Sequence, residues 1–163
     1  MHIETANLII TKFRPEMAES VHLLSLDDDN RRFVPDEVFE TIKAAEKTLD
    51  AIISFYGNLK KPQIYAILLK NACHIGHVQA IPIKNGWEIG YHIGKQYTKN
   101  GYATEAVRAF VPEIMKILGI DELFGICHEE NIASRRVLEK CGFIQHEQNE
   151  KVQRGKCLYA ILR

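Results

Sequence analysis

Glu88 and His92 are the residues of this chain best set to move a proton, and Gly101 opens the segment best suited to an anion. The two titratable residues lie in G-W-E-I-G-Y-H-I, which reads as a strand. With a period of two, Glu88, Gly90 and His92 share one face, and Trp87, Ile89, Tyr91 and Ile93 share the other. A carboxylate on a mostly buried strand needs a reason, and either a water-relayed base or a structural hydrogen bond supplies one. The strand runs into K-Q-Y-T-K-N-G-Y-A-T-E-A, a short loop leading to a helix. A helix start leaves about four N–H groups without intrahelical partners and carries partial positive charge, so a diphosphate is its natural occupant. Gly101 lets the backbone come close to a ligand, and Ala103 keeps the first turn narrow.

Other chemistries fit the spacing less well. No G-K-[ST] follows the glycine, as a Walker loop requires, and the spaced glycines and later acid of a Rossmann fingerprint are missing. Cys73, His74 and His77 have the types of metal ligands, but strand alternation sets the two histidines on opposite faces. Cys127-His128 lacks the spacing of a closed zinc site, so no metal is expected.

The elements that must position these residues follow from periodicity and turn signals. A strand is expected over 3–13, a short helix to about residue 24, a turn or loop over 27–30 and a helix over 38–56. Strands over 63–69, 73–83 and 86–93 follow, with Asn71 and Asn85-Gly86 as hairpin turns. A helix over 102–118 contains Pro112, which predicts a kink. A strand at 122–127, a helix from Asn131 to about 141 and strands at 143–147 and 156–162 complete the order β-α-α-β-β-β-α-β-α-β-β. Asn131 is a good N-cap and Gly142 a good residue beyond the helix end. Antiparallel meanders surround one strand–helix–strand unit at 86–127, where a parallel pairing fits. The class is α+β, a single domain over 1–163.

Composition narrows the partners. Lys plus Arg and Asp plus Glu each number 21, so no net field argues for nucleic acid or a membrane surface. No signal peptide or membrane span is expected. Four scattered cysteines without a C-x-x-C pair suit reduced thiols in the cytoplasm.

A second segment, H-E-E-N-I-A-S-R-R-V-L-E-K-C-G-F, also opens a helix at the end of a strand. Together the two segments resemble the acetyl-CoA site of the GNAT superfamily of N-acetyltransferases, and specifically its RimJ/RimL-like branch. That branch carries [QR]-x-x-G-x-[GA] followed by Y-A-T-E-A-like text, and downstream N-x-x-S-x-x-V-L-E-K-x-G-F. The opening I-E-T-A-N-L-I-I and R-F-V-P-D-E at 32–37 are also similar. The resemblance implies a GNAT fold: a mostly antiparallel twisted sheet of about seven strands with one splayed parallel pair, flanked by about four helices. It implies transfer of acetyl from acetyl-CoA to a primary amine by direct attack on the thioester.

Residue by residue, it sets pantetheine along the strand, with backbone groups of His92 and Ile93, and the diphosphate at Thr98, Lys99, Asn100, Gly101, Tyr102, Ala103 and Thr104. Asn131 would face pantetheine, cap its helix, or do both. The loop departs from the pattern: Thr98 stands where Gln or Arg is usual, and Lys99 where a further Gly is common. Backbone amides would then carry the grip, with Lys99 adding charge or pointing to solvent. Many relatives place a tyrosine beside the departing sulfur; that position is Leu138 here, which leaves Ser134, a residue that also suits local backbone bonding. Glu88 is the first candidate for the base, His92 the second, with His77 and Glu130 behind.

The resemblance implies as acceptor either an N-terminal amine of a ribosomal or other protein or a small-molecule amine. Segment 24–40, including Arg31, Arg32, Asp36 and Glu37, and the loop near 149–156 would choose it. Monomer and homodimer both fit. A non-catalytic acyl-CoA sensor is the alternative, separated by whether thiol release depends on an amine.

Overall fold

The computed structural model describes residues 1–146 and 155–162. Among them are eight strands: β1 (Ile3–Glu4), β2 (Leu8–Thr11), β3 (Gln63–Leu69), β4 (His74–Ile83), β5 (Gly86–Ile93), β6 (Glu122–His128), β7 (Ile144–His146) and β8 (Lys156–Leu162). They form one sheet in the order β1-β2-β3-β4-β5-β6-β8-β7. Neighbours are antiparallel except β5 and β6, which pair in parallel only at Glu88↔Phe124 and Ile89↔Gly125. Five α-helices flank the sheet: α1 (Ala18–Ser25), α2 (Asp28–Phe33), α3 (Ile42–Phe55), α4 (Tyr102–Leu118) and α5 (Ile132–Lys140). The mixed architecture and its single parallel pair are as expected, with one more strand and one more helix.

Each face of the sheet carries its own core. On one side Ile75, Val78, Ile89 and Ile93 pack against Ala106, Val107, Phe110 and Ile114 of α4 and Leu138 of α5. On the other, Ala66 and Leu68 pack against Phe13, Met17, Leu49 and Ile52 from α1, α3 and their approaches. Each fully buried side chain of this size contributes ~1.5–3 kcal/mol. Helix α4 runs through Pro112, which is exposed, so the Arg108 carbonyl that loses its helical donor lies on the side water reaches.

Three local expectations change. The first strand divides at a turn in which Thr5 N donates to Leu8 O at 3.0 Å. The acidic run expected as a turn is a helix start: Asp27 accepts from Asn30 N at 2.9 Å as N-cap of α2, which places Asp28 and Asp29 in the first turn, where the helix dipole favours them. The third change lies in β4. Ile67 pairs with Gly76 but Leu68 with His74, so Ile75 is an extra, bulged residue. The bulge resets the alternation, and His74 and His77 line the same cavity rather than opposite faces.

Candidate active site

The site begins where the sheet stops being continuous. Beyond Ile89 and Gly125 no further β5–β6 pairs form, so the two strands part. Gly94 N donates to Ile75 O at 2.9 Å. Alternation from that bond turns the peptide groups of His92 toward its partner His77 on β4 and those of Tyr91 and Ile93 toward the gap. His92 is thus placed otherwise than the resemblance implies: its backbone serves the β4 ladder, and Ile93 and Tyr91 offer theirs. Gly125 lets α5 close onto the opening, since a Cβ there would lie 2.7 Å from Leu138 Cδ2. Leu138 itself is 1% exposed, a core residue with no access to a reacting atom.

The loop expected to hold phosphate is self-supporting. Thr98 Oγ1 donates to Lys95 O at 2.8 Å, and Asn100 Nδ2 donates to Tyr97 O and Thr98 O, both at 3.1 Å. Gly101 has φ +81° and no side chain caps α4. The first helical bond is Glu105 N to Gly101 O at 3.0 Å. The amides of Tyr102, Ala103 and Thr104 therefore point out of the helix end without intrahelical acceptors. Lys99 explains why glycine is common at its position: φ is +66°, a left-handed conformation that a β-carbon disfavours. Lys99→Ala, which keeps that strain, is expected to unfold in urea about 1 kcal/mol more easily than Lys99→Gly, which relieves it.

The Glu105 carboxylate, in the first turn of the same helix, is held away from the loop. It accepts from Thr5 Oγ1 (2.6 Å), Asn7 N (2.8 Å) and Asn7 Nδ2 (2.9 Å). Burial alone would raise its pKa, but these donors outweigh it and keep the group ionised below the usual range. Two stretches of similar text, I-E-T-A-N-L-I-I and Y-A-T-E-A, are thereby one physical unit. Glu105→Ala removes three acceptor bonds and is expected to cost ~1–2 kcal/mol by urea unfolding, with Glu105→Gln losing less.

Around the parting strands, β5 presents different chemistry on its two faces. On the first, burial pushes Glu88 up to about 7, opposed by Lys156 and reinforced by Glu37. Beside it Gly90 leaves room for Gln79, whose side chain lies 2.7 Å from where a Cβ would be. Gln79 Nε2 donates to Glu37 Oε1 at 2.9 Å, and His77 Nε2 lies 3.4 Å from Glu37 Oε2. His92 Nε2 lies 3.0 Å from Asp27 Oδ2, and this bond, against burial, holds Asp27 below the usual carboxylate range. His77 and His92 face each other across the strands with ring centroids 5.9 Å apart. The segment from Asp27 to Glu37 is therefore pinned at both ends by carboxylate–imidazole contacts. Arg32 fastens its middle to Glu130 at 2.6 Å, which occupies Glu130, and Arg31 pairs with Glu40.

On the second face, Tyr91 Oη lies 2.9 Å from both Ser134 Oγ and Ser134 O. Burial raises the Tyr91 pKa despite the Ser134 hydrogen bond, so the phenol keeps its proton. Asn131 Oδ1 accepts from Ser134 N at 3.0 Å, the capping bond expected of it. Burial also pushes the Cys127 thiol up to about 11, which leaves it a poor nucleophile. Tyr91 was not singled out from the sequence. The signal was its place opposite Glu88 on the strand, but only the docking of α5 brings its hydroxyl to Ser134. No His, Cys, Asp or Glu cluster suited to a metal ion occurs among the described residues, and all four cysteines are free. The loop near 149–156 lies largely outside the described residues.

The sheet is thus opened at one parallel pair, with an uncapped helix start, suited to an anion, beside the opening. Residues 7–144 match the acetyltransferase (GNAT) domain, and the chain belongs to that family. Among curated proteins it is 28% identical over 144 residues to the uncharacterized N-acetyltransferase YnaD of Bacillus subtilis (strain 168), covering 87% of this chain and 82% of that one. Among solved structures it is similar to a GNAT-family acetyltransferase from Bacillus anthracis (TM-score 0.84, 25% identity, 99% and 98% of the two chains). The RimL ribosomal L7/L12 alpha-N-protein acetyltransferase, solved in complex with coenzyme A, shares the fold at TM-score 0.82 and 16% identity, over 99% and 98% of the chains. The protein is thus an acetyltransferase. No helix among the described residues is long and apolar enough to cross a membrane.

Proposed function

We propose that this enzyme transfers acetyl from acetyl-CoA to a primary amine by direct attack of the amine on the thioester, with base and acid on opposite faces of β5. The observation that carries this reading is the division of β5 at the gap, with Glu88 on one face and the Tyr91–Ser134 hydroxyl pair on the other. Pantetheine lies in the gap against the peptide groups of Tyr91 and Ile93, and the diphosphate on the amides from Lys99 to Thr104. Thr98 and Asn100 shape that loop, and Asn131 fixes the start of α5 beside the gap. Acetyl-CoA supplies an already activated acyl group, so no covalent enzyme intermediate is needed. The ammonium gives its proton to Glu88 directly or through a water, and the nitrogen attacks the carbonyl carbon. The C–S bond then breaks; the departing thiolate takes a proton from Ser134, which Tyr91 holds in place, and Ser134 recovers it from the second proton that the new amide nitrogen sheds.

A carboxyl near neutrality is the right base for this step, because near pH 7 a substantial share is ionised and it is still basic enough to accept a proton. Release of free thiol from acetyl-CoA, measured with and without a panel of primary amines, tests the reading. Amine-dependent release is the expected result. Binding of coenzyme A without amine-dependent release would replace it by a non-catalytic sensor.

A further inference from the structure

On the face of β5 that carries Glu88, His92 borders a partly open recess for which the acetyl-transfer chemistry described so far has no use. It has a volume of about 230 Å³ and lies between the sheet and helices α1 and α3. Protein interiors pack to the density of organic crystals, so a space of this size between two packed layers is not ordinary core. Its inner wall is apolar: Phe13, Leu24, Leu49 and Ile52 are each no more than 8% exposed, and Phe39 closes one side. Its outer end is polar, with Glu37, His77 and His92 around it. Glu37 is the more open of these, its side chain 33% exposed against 20% for His77 and 13% for His92. Both Glu37 oxygens already face donors, which fixes the carboxylate as an ion at the mouth of an apolar recess.

We infer that this space is the acceptor subsite and that the acceptor is a primary amine carrying one apolar side chain, of leucine or phenylalanine size. The inference rests on the acetyl-transfer reading and names its substrate class. The ammonium sits at the Glu37 end, on the face from which Glu88 takes the proton, and the side chain fills the recess. Drug-sized ligands occupy roughly 300 Å³ or more, so a multi-ring polyamine does not fit. A serine or alanine side chain leaves most of the recess empty. Asp36 and Glu37 are the carboxylates of the lining, so a polyamine reaching past them would bury further ammonium groups against Phe13, Leu49 and Ile52, whose side chains carry no charge to answer them. Acceptor choice here therefore departs from that of enzymes acting on small N-terminal residues. A free amine and a peptide N-terminus share this chemistry, and the test separates them.

Acetylation is measured by thiol release for leucinamide, phenylalaninamide, alaninamide, serinamide and spermidine, and for two peptides differing only in an N-terminal Leu or Ala. Leucinamide and phenylalaninamide are expected to exceed alaninamide and serinamide in kcat/KM by at least about tenfold, the lower range for a single methylene in an apolar pocket. Val21 of α1 and Ile52 of α3 both line the recess, so Ile52→Phe and Val21→Phe each intrude on it. Each should lower kcat/KM for leucinamide several-fold and leave alaninamide within about twofold. A Leu peptide faster than leucinamide identifies a protein N-terminus as the source; the reverse identifies a free amine. Preference for alaninamide, serinamide or spermidine, or a leucinamide preference that survives both substitutions, overturns the inference while leaving acetyl transfer intact. If no amine is acetylated, the transfer reading itself fails. The recess is then read by Tm with coenzyme A present: leucinamide raising Tm in the wild type and not in Val21→Phe supports it, and no rise in either overturns it.

Discussion

Glu88→Gln is expected to lower kcat by about 10²–10⁴-fold, the range typical of a lost general base, while KM for acetyl-CoA stays near its original value. The direction of the pH dependence follows from the raised pKa of Glu88. Activity needs the ionised carboxylate, so kcat/KM should rise through about pH 7 as Glu88 loses its proton. The profile is best recorded with an acceptor amine that stays neutral throughout the range. In Glu88→Gln that limb should vanish, and its persistence would remove Glu88 as the base. Stability should move the other way. The folded state holds the Glu88 proton to about pH 7 and the unfolded chain only to about 4.5. Between those values the fold binds more protons, so its stability falls as pH rises. Above pH 7 the penalty approaches ~2–3 kcal/mol for a group so largely buried. Glu88→Gln removes it, so the variant should melt above the wild type at pH 8 and match it at pH 4.5. A catalytic carboxylate and a structural one differ here: removing a structural hydrogen bond would lower stability at both.

Tyr91→Phe and Ser134→Ala should each lower kcat by about 10–100-fold, the double variant falling little further, because the two hydroxyls act as one unit. Their distance of 2.9 Å is the basis for that non-additivity. The losses should shrink with an acetyl thioester whose thiol is more acidic, since such a leaving group needs less protonation. A purely structural role for Tyr91, supporting α5 through Ser134 O, predicts equal losses for every thioester. Equal losses would therefore rule out proton delivery by this pair.

Much of the scaffold was legible because its boundaries are chemical. The strand at 63–69, the strand at 86–93 and the helix at 102–118 begin and end where read, bounded by glycine or asparagine at most ends. The parallel pair followed from one strand–helix–strand unit among meanders. Failures cluster where distant contacts decide. Asp27 to Asn30 has the composition of a turn, but a histidine on β5 and a glutamate beyond β6 hold the segment as a helix. The break in the first strand depends on Glu105, far along the chain. The bulge at Ile75 adjoins Gly76, an isolated strand glycine of the kind that marks a bulge, and it brings His74 round to the side of His77 and His92; the glycine marks the place but not which residue becomes the extra one. Within the candidate site, the loop and Glu88 could be named from local text. The Tyr91–Ser134 pair could not, because its two members belong to elements that meet only after α5 docks.

The outer strands of the sheet bear on behaviour at high concentration. β1 contributes two residues and β7 three among the described residues. Among the described residues, an incoming chain finds only a few unpaired peptide groups along β1 and β7, too little ladder to recruit a foreign strand. Colloidal stability of this protein is thus protected at its edges, even with Ile144 of β7 71% exposed. Crowding should leave the sheet discrete rather than seed its extension into a fibre.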